Sequence, residues 1–262
     1  MPLNMSSVLF EIRDQIAFIT FNRPEKLNSF NREMSLILQE KLDECASLHE
    51  VRVVCLSGAG KAFSAGQDLA EVTSSERGGL ERILSEQLNP IITRIRNLPK
   101  PVVAAVGGVA AGAGANIALC CDIVVAARSA TFIQAFSKIG LIPDSGGTWF
   151  LPRLVGWQKA AGIAMLGERV TAAEAERIGM IYKVYEDEEF EGAVHALAAV
   201  LAEMPTRALA LTKHALNYSA VNSLEAQLLL EDELQQKAAA TKDYTEGVQA
   251  FLGKRAPKFR GE

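Results

Sequence analysis

Residues 107–116 form a stretch built almost wholly from glycine and alanine, set between two apolar, β-branched runs at Val102–Val106 and Ile123–Ala127. A backbone so bare of side chains, entered from a strand-like run, leaves few folds open. Its chain must pass close to another backbone, or present its own N–H groups to something that does. Gly107-Gly108-Val109-Ala110-Ala111-Gly112-Ala113-Gly114-Ala115-Asn116 reads as a loop opening a short buried helix, with amides uncovered at the positive end of the helix dipole. The same small residues also serve close helix–sheet packing, and spacing alone leaves both readings standing.

The surrounding pattern places this stretch in an α/β fold. Val8–Arg13 and residues 15–22 are rich in β-branched and aromatic side chains, and the polar Arg13-Asp14 break between them suggests a hairpin. Phe30, Met34, Ile37, Leu38, Leu42, Cys45 and Leu48 follow helical spacing after a candidate cap at Ser29. A buried strand is expected at 51–57. A second amphipathic helix is expected at 80–98, kinked at Pro90 and stopped by Pro99 and Pro101. Strands alternating with helices predict helices packed on sheet faces. From Pro205 onward every stretch reads as helix, at 207–218, 223–240 and 244–254, which divides the chain into an α/β core (1–204) and a C-terminal helical region (205–262). Apolar faces on that region are expected to pack on a neighbouring subunit as well as on the core.

Bulk properties exclude several classes of function. The net charge of −4 and the lack of a Lys/Arg run leave no electrostatic footprint for nucleic acid or an anionic membrane. The glycines, Asn116 and Asp122 make 102–125 a poor membrane span, and the first residues lack the pattern of a secretory signal. Cys45, Cys55, Cys120 and Cys121 have no metal-ligand spacing, so buried, reduced thiols of a cytoplasmic protein are expected. No metal site is expected.

Two further segments are candidates for chemistry. Gly58-Ala59-Gly60-Lys61-Ala62-Phe63-Ser64-Ala65-Gly66-Gln67-Asp68-Leu69 follows a strand but closes neither a P-loop nor a dinucleotide fingerprint. It is a turn-rich connection or a place where a ligand meets bare backbone. Gly140-Leu141-Ile142-Pro143-Asp144-Ser145-Gly146-Gly147-Thr148 sets one carboxylate between a proline and a glycine turn, before an apolar helical stretch from Trp149. Asp144 is a helix N-cap, or a carboxylate on a rigid turn whose proton affinity rises against an apolar pocket.

Taken in order, these segments resemble the crotonase (enoyl-CoA hydratase/isomerase) superfamily. Further matches are Phe21-Asn22-Arg23-Pro24-Glu25-Lys26-Leu27-Asn28, Cys121-Asp122-Ile123 and the closing Glu246-Gly247-Val248-Gln249-Ala250-Phe251-Leu252-Gly253-Lys254-Arg255-Ala256-Pro257. The resemblance covers essentially the whole chain. It implies a spiral of ββα turns with a C-terminal helical region that forms trimers, often paired into hexamers. It also implies an acyl-CoA thioester as substrate, with no cofactor beyond the CoA moiety. By position, the backbone N–H groups of Gln67 and Ala113 would hold the thioester oxygen, their side chains being incidental. Ser64, Ala65, Asp68 and Leu69 would line the adenine site, and Lys26 would meet the CoA phosphates. Phe251 and Lys254 would contact CoA, from the same or the next subunit. For Asp68 and Asp122 a structural hydrogen-bonding role is also expected.

The chain departs from the family's hydratase pattern. The two glutamates that position and split water correspond to Asn116 and Phe136, neither of which transfers a proton as a carboxylate does. Asp144 matches the catalytic aspartate of isomerases. Residues 135–149 look most like members that convert an aryl ring epoxide to an oxepin and also shift enoyl-CoA double bonds. The resemblance therefore implies an isomerase in which Asp144 moves the proton, Phe136 excludes water, and Asn116 bonds either substrate or Asp144. The competing expectations are a weak hydratase, an aspartate nucleophile as in aryl-CoA dehalogenases, or a CoA- or RNA-binding member without catalysis. The segment 71–86 is expected to wall the acyl pocket.

Overall fold

A computed structural model of the protein describes residues 6–72 and 79–262, so part of the expected pocket wall, 73–78, lies outside the described residues. Strands β1 (Val8–Arg13) and β2 (Ile16–Phe21) form the expected hairpin. Its turn falls on Asp14 and Gln15, at φ 51° and 64°, the left-handed pair a two-residue hairpin requires. Helix α1 (Arg32–Ser47) starts later than expected. Its cap is Asn31, whose side chain accepts from the Met34 N–H, whereas the Ser29 carbonyl is held by Arg23 Nη1 at 2.5 Å. Phe30 lies outside the helix and bridges to Gln67.

Three successive passages of chain each supply one strand to a large sheet and the next to a small one, followed by helix. The first runs β3 (Val53–Gly58), β4 (Ala62–Ser64), then α2 (Leu69–Val72), α3 (Gly79–Arg82) and α4 (Asn89–Asn97). A widened π turn, Ile83–Leu88, joins α3 to α4. The break expected at Pro90 is this π turn just before it: the Asn89 N–H bonds to the Leu84 carbonyl five residues back, and Pro90 follows with no N–H to give. The second passage is β5 (Val102–Val106), β6 (Val109–Ala111) and α5 (Ala113–Leu119), so part of the glycine/alanine stretch is strand rather than loop. The third is β7 (Ile123–Ala127), β8 (Thr131–Ile133), α6 (Gly147–Val155) and α7 (Trp157–Leu166). Strand β9 (Arg169–Thr171), helix α8 (Ala172–Arg177) and strand β10 (Lys183–Tyr185) complete the sheets.

The large sheet has order β1-β2-β3-β5-β7-β10 and the small one β4-β6-β8-β9. This is the ββα spiral. Central strand β5 is buried at every position, as a parallel strand covered on both faces must be. Within the small sheet β4, β6 and β8 are parallel neighbours, so all three C-terminal ends emerge on one edge.

Helices α9 (Phe190–Glu203), α10 (Thr206–Ser219), α11 (Leu224–Ala239) and α12 (Lys242–Leu252) follow, the last three within the region expected to be all helical. Among the described residues no single helix is long and apolar enough to cross a membrane. All four cysteines are buried and unpaired. Two cations fasten the helical end to the sheets. Arg52 donates to Thr206 Oγ1 at 2.8 Å, to the Met204 carbonyl at 2.6 Å and to the Phe259 carbonyl at 3.0 Å. Lys213 on α10, 7% exposed, reaches Asp122 Oδ2 at 2.8 Å and the Ile95 carbonyl at 2.6 Å. Asp122 also accepts from the Val102 N–H at 2.8 Å, which bears out its structural role.

Removing one partner of a buried ion pair strands the other. Lys213→Ala is expected to cost about 3–5 kcal/mol, read from the midpoint of chemical unfolding at unchanged slope. A loss under about 1 kcal/mol would show that Arg96, whose Nη1 lies 3.5 Å from Asp122 Oδ1, neutralises Asp122 alone.

Candidate active site

The site is built at the edge where β4, β6 and β8 end. After β4 the chain turns through Ala65 and Gly66 to Gln67. Three backbone bonds lay this turn against 27–30: Ala65 N–H to Leu27 O at 2.9 Å, Phe30 N–H to Gly66 O at 2.7 Å and Asp68 N–H to Phe30 O at 2.8 Å. Asn28 fixes it from below, its Nδ2 donating to the Ala59 and Ala62 carbonyls at 2.9 and 2.7 Å. After β6, Gly112 turns the chain into α5. Gly66 has φ +92°, and a Cβ there would stand 2.8 Å from Ala111 O and 3.2 Å from Ala113 N. Only glycine permits an approach this close. It sets the Gln67 and Ala113 amides side by side, and among the described residues neither N–H has an acceptor.

Two amides without acceptors at the ends of adjacent strands, one opening a helix, are groups of the kind that hold a developing oxyanion. The Phe136 ring, buried, lies over this point: a Cβ on Gly112 would meet its Cζ at 3.7 Å. Both Oε1 and Nε2 of the Gln67 side chain are buried without a hydrogen-bond partner among the described residues.

Asp144 stands on the turn between the 3₁₀ helix Ala135–Ile139 and α6. The N-cap reading fails, because the cap of α6 is Gly146 at φ +76° and no side chain caps it. The carboxylate instead borders a cavity of about 270 Å³ walled by Leu80, Leu84, Leu141, Ile142 and Pro143. Among the described residues its buried Oδ1 has no hydrogen-bond partner, and the buried Ser145 hydroxyl stands beside the carboxyl. Burial pushes the Asp144 carboxyl above its ordinary 3.8, with Ser145 and its own backbone N–H pulling weakly the other way. Asn116, fully buried on α5, bonds the Asp144 backbone: its Nδ2 donates to the Asp144 carbonyl at 2.8 Å. Its Oδ1 accepts from Gln134 Nε2 at 2.7 Å. Sequence reasoning passed over Gln134, which lies two positions before Phe136 and carries no motif of its own.

The remaining expected residues divide into two groups. Ser64, Ala65, Asp68, Leu69 and Lys26 lie together beside the amides. The Ser64 hydroxyl is used internally, donating to Asn28 O at 2.8 Å and accepting from the Gly66 N–H at 3.1 Å. Asp68 is paired with Arg23 at 2.9 Å and accepts from the Ala70 N–H. Leu69 is 59% exposed, and Lys26 is exposed without an ion pair among the described residues. Among the described residues neither Phe251, 84% exposed, nor Lys254 hydrogen-bonds to this group. The segment after α12 is held at the N-terminal end of β3, through Arg52 and Phe259, away from the strand ends that form the site.

The family model for enoyl-CoA hydratase/isomerase matches residues 11–262. The chain belongs to this family. It is 46% identical to 1,2-epoxyphenylacetyl-CoA isomerase of Escherichia coli K12 over 98% of this chain and all of that one. It is 45% identical to a Rhodobacter capsulatus protein named "Probable enoyl-CoA hydratase", over 99% of this chain and all of that one. Enoyl-CoA hydratase from Bacillus anthracis superposes with a TM-score of 0.90 at 32% identity, covering 98% of this chain and 100% of the other. Isomerase and hydratase relatives are thus equally near. Membership gives a crotonase-type enzyme, and the site chemistry must separate the two reactions.

A carboxyl whose folded-state pKa is raised by burial binds its proton more tightly folded than unfolded. Stability therefore falls as pH rises from about 3.8 through the folded value. Asp144→Asn removes that dependence. The variant is expected to melt at or above the wild-type temperature at pH 7, and the gap should narrow below pH 4. A variant destabilised at pH 7 would mean the carboxylate is satisfied by contacts that hold its charge.

Proposed function

We propose that the protein is an acyl-CoA isomerase that stabilises a thioester enolate and moves protons with Asp144. The observation that carries this reading is the pairing of one carboxyl raised by burial, its Oδ1 without a partner among the described residues, with an amide, Asn116, and a phenyl ring, Phe136, at the two positions that by family resemblance correspond to the hydratases' glutamates. Hydration needs one group to deprotonate water and another to deliver its proton. Asn116 has both amide groups bonded within the protein, and Phe136 carries no proton to move.

The thioester oxygen is held by the Gln67 and Ala113 N–H groups, which lowers the cost of removing the α-proton. Asp144 takes that proton and returns it further along the conjugated system, so the enolate collapses to the shifted double bond. One base serves both steps when the two carbons share a face. The apolar side chains of Phe136 and Leu84 limit the access of water to the site. With a ring epoxide both C–O bonds are kept: the C–C bond shared by the two rings breaks to give the seven-membered oxepin, and Asp144 removes the side-chain α-proton and returns a proton to a ring carbon, which leaves an isomer of the substrate. Two features support an oxygen-bearing acyl group: the unpartnered Gln67 amide next to the enolate site, and the identity to an isomerase of that type. No group beyond the substrate's CoA enters this scheme. Phe251, 84% exposed, would reach CoA across a subunit contact, and Leu224, Leu228 and Leu229 on α11 supply an apolar face for a trimer.

The test is incubation of a 3-enoyl-CoA in D₂O, followed by NMR and mass spectrometry. Wild type should give deuterated 2-enoyl-CoA, with the acid limb of kcat/KM above pH 3.8. Asp144→Asn should lose isomerisation and exchange together. Rapid build-up of 3-hydroxyacyl-CoA would sink the reading. Gly66→Ala, which forces the two amides apart and leaves Asp144 untouched, should lower kcat by on the order of 10²–10³. Retention of full kcat there would show that these amides are not the oxyanion donors.

A further inference from the structure

Asn116 and Gln134 form a ladder whose direction is fixed by its ends. The Asp144 carbonyl is an acceptor only, so the Asn116 group facing it at 2.8 Å must be the NH₂. That turns Asn116 Oδ1 toward Gln134, which must present its own NH₂ at 2.7 Å. Both side chains are fully buried. The orientation leaves Gln134 Oε1 buried without a partner among the described residues, an arrangement with an energetic cost. Flipping Gln134 would satisfy nothing, because it would set oxygen against oxygen. The far end of the ladder is equally constrained. The Asp144 carbonyl also accepts from the Gly147 N–H at 2.8 Å, and a Cβ on Gly147 would collide with the Asn116 amide at 2.4–2.7 Å. The ladder thus ties the end of β8 through α5 to the peptide that bears the carboxylate, without touching the carboxylate itself.

We propose that Gln134 and Asn116 are positioning residues: an amide relay that holds the Asp144 backbone so that its carboxylate faces the acyl pocket. The inference rests on Asp144 being the proton carrier. It also predicts that a carboxylate at position 116 is poorly accommodated in this chain. An ionised aspartate or glutamate there would place an acceptor against the Asp144 carbonyl, so a single substitution does not restore hydration.

The experiment measures isomerisation and α-proton exchange of a 3-enoyl-CoA in D₂O for Gln134→Met, Gln134→Glu, Asn116→Ala and the double variant Asn116→Ala/Gln134→Met, beside Asp144→Asn. The expected result is a 10–100-fold loss in kcat with KM within about twofold, since a carboxylate displaced by about 1 Å loses rate rather than binding. The double variant should match the worse single one, because the two amides act in series. Gln134→Glu gives a readout that a packing role would not move. Only the protonated acid donates to Asn116 Oδ1, so its activity relative to wild type at the same pH should rise as pH falls. Taking the ratio cancels the titration of Asp144. Three results would overturn the relay: unchanged kcat in the folded single variants while Asp144→Asn is inactive, losses confined to KM, or a pH-independent Gln134→Glu ratio. An active Asp144→Asn would instead remove the reading beneath it.

Discussion

The parallel pairing of Ala62–Ser64 with Val109–Ala111, and of that strand with Thr131–Ile133, is the constraint on which the rest of the molecule depends. Each strand is only three residues long and weak on its own. Each is nevertheless the continuation of a longer strand, or of the passage after one, in the large sheet, so its position is set by that buried framework. Because the three run parallel, their ends open on one edge. Three separated stretches of sequence then deliver two bare amides, a phenyl ring and an aspartate turn to the same place. A single sheet would have no reason to bring them together.

Around that edge the structure leaves polar groups unanswered. Oδ1 of Asp144, Oε1 of Gln134 and both polar atoms of Gln67 are buried without partners among the described residues. Ser35 Oγ, Gln87 Oε1 and Thr131 Oγ1 are likewise without partners among the described residues, whereas the buried cations and Asn28 are answered: Lys100 donates to the Cys45 and Leu48 carbonyls, Arg52 to three oxygens, and Asn28 to two carbonyls. Raised proton affinity at Asp144 follows from the same dry wall that leaves its oxygen bare.

The helical end obeys a different logic. Arg52 and Lys213 each reach from one part of the chain into the other, so α10 and the closing segment are pinned to the base of the sheets rather than laid over the strand ends. Phe251 and Lys254, recognisable in the sequence by their motif, belong to this end, and among the described residues neither hydrogen-bonds to the group beside the amides.

Much of this was legible from residue order alone. Strands Val8–Arg13, Val102–Val106 and Ile123–Ala127, the course of α1, and the three helices after Pro205 follow from periodicity, since burial imposes a period of 2 or 3.6 on any chain that must cover a sheet. The glycines at 66 and 112 announced a close backbone approach, and Asp144 between proline and glycine announced a held carboxylate. Other features depended on contacts between residues far apart in sequence. The α1 cap went to Asn31 because Arg23 already held the Ser29 carbonyl. Asp144 was relieved of capping because Gly146 took that place. Gln134 gained a role only when β8 set it against Asn116, 18 positions away. The sequence by itself determined which residues carry bare amides, a carboxylate and an apolar wall, because those properties belong to the residues. Only the tertiary structure decided which of them meet, because hydrogen-bond partners and burial are set by strand pairing and not by neighbours along the chain.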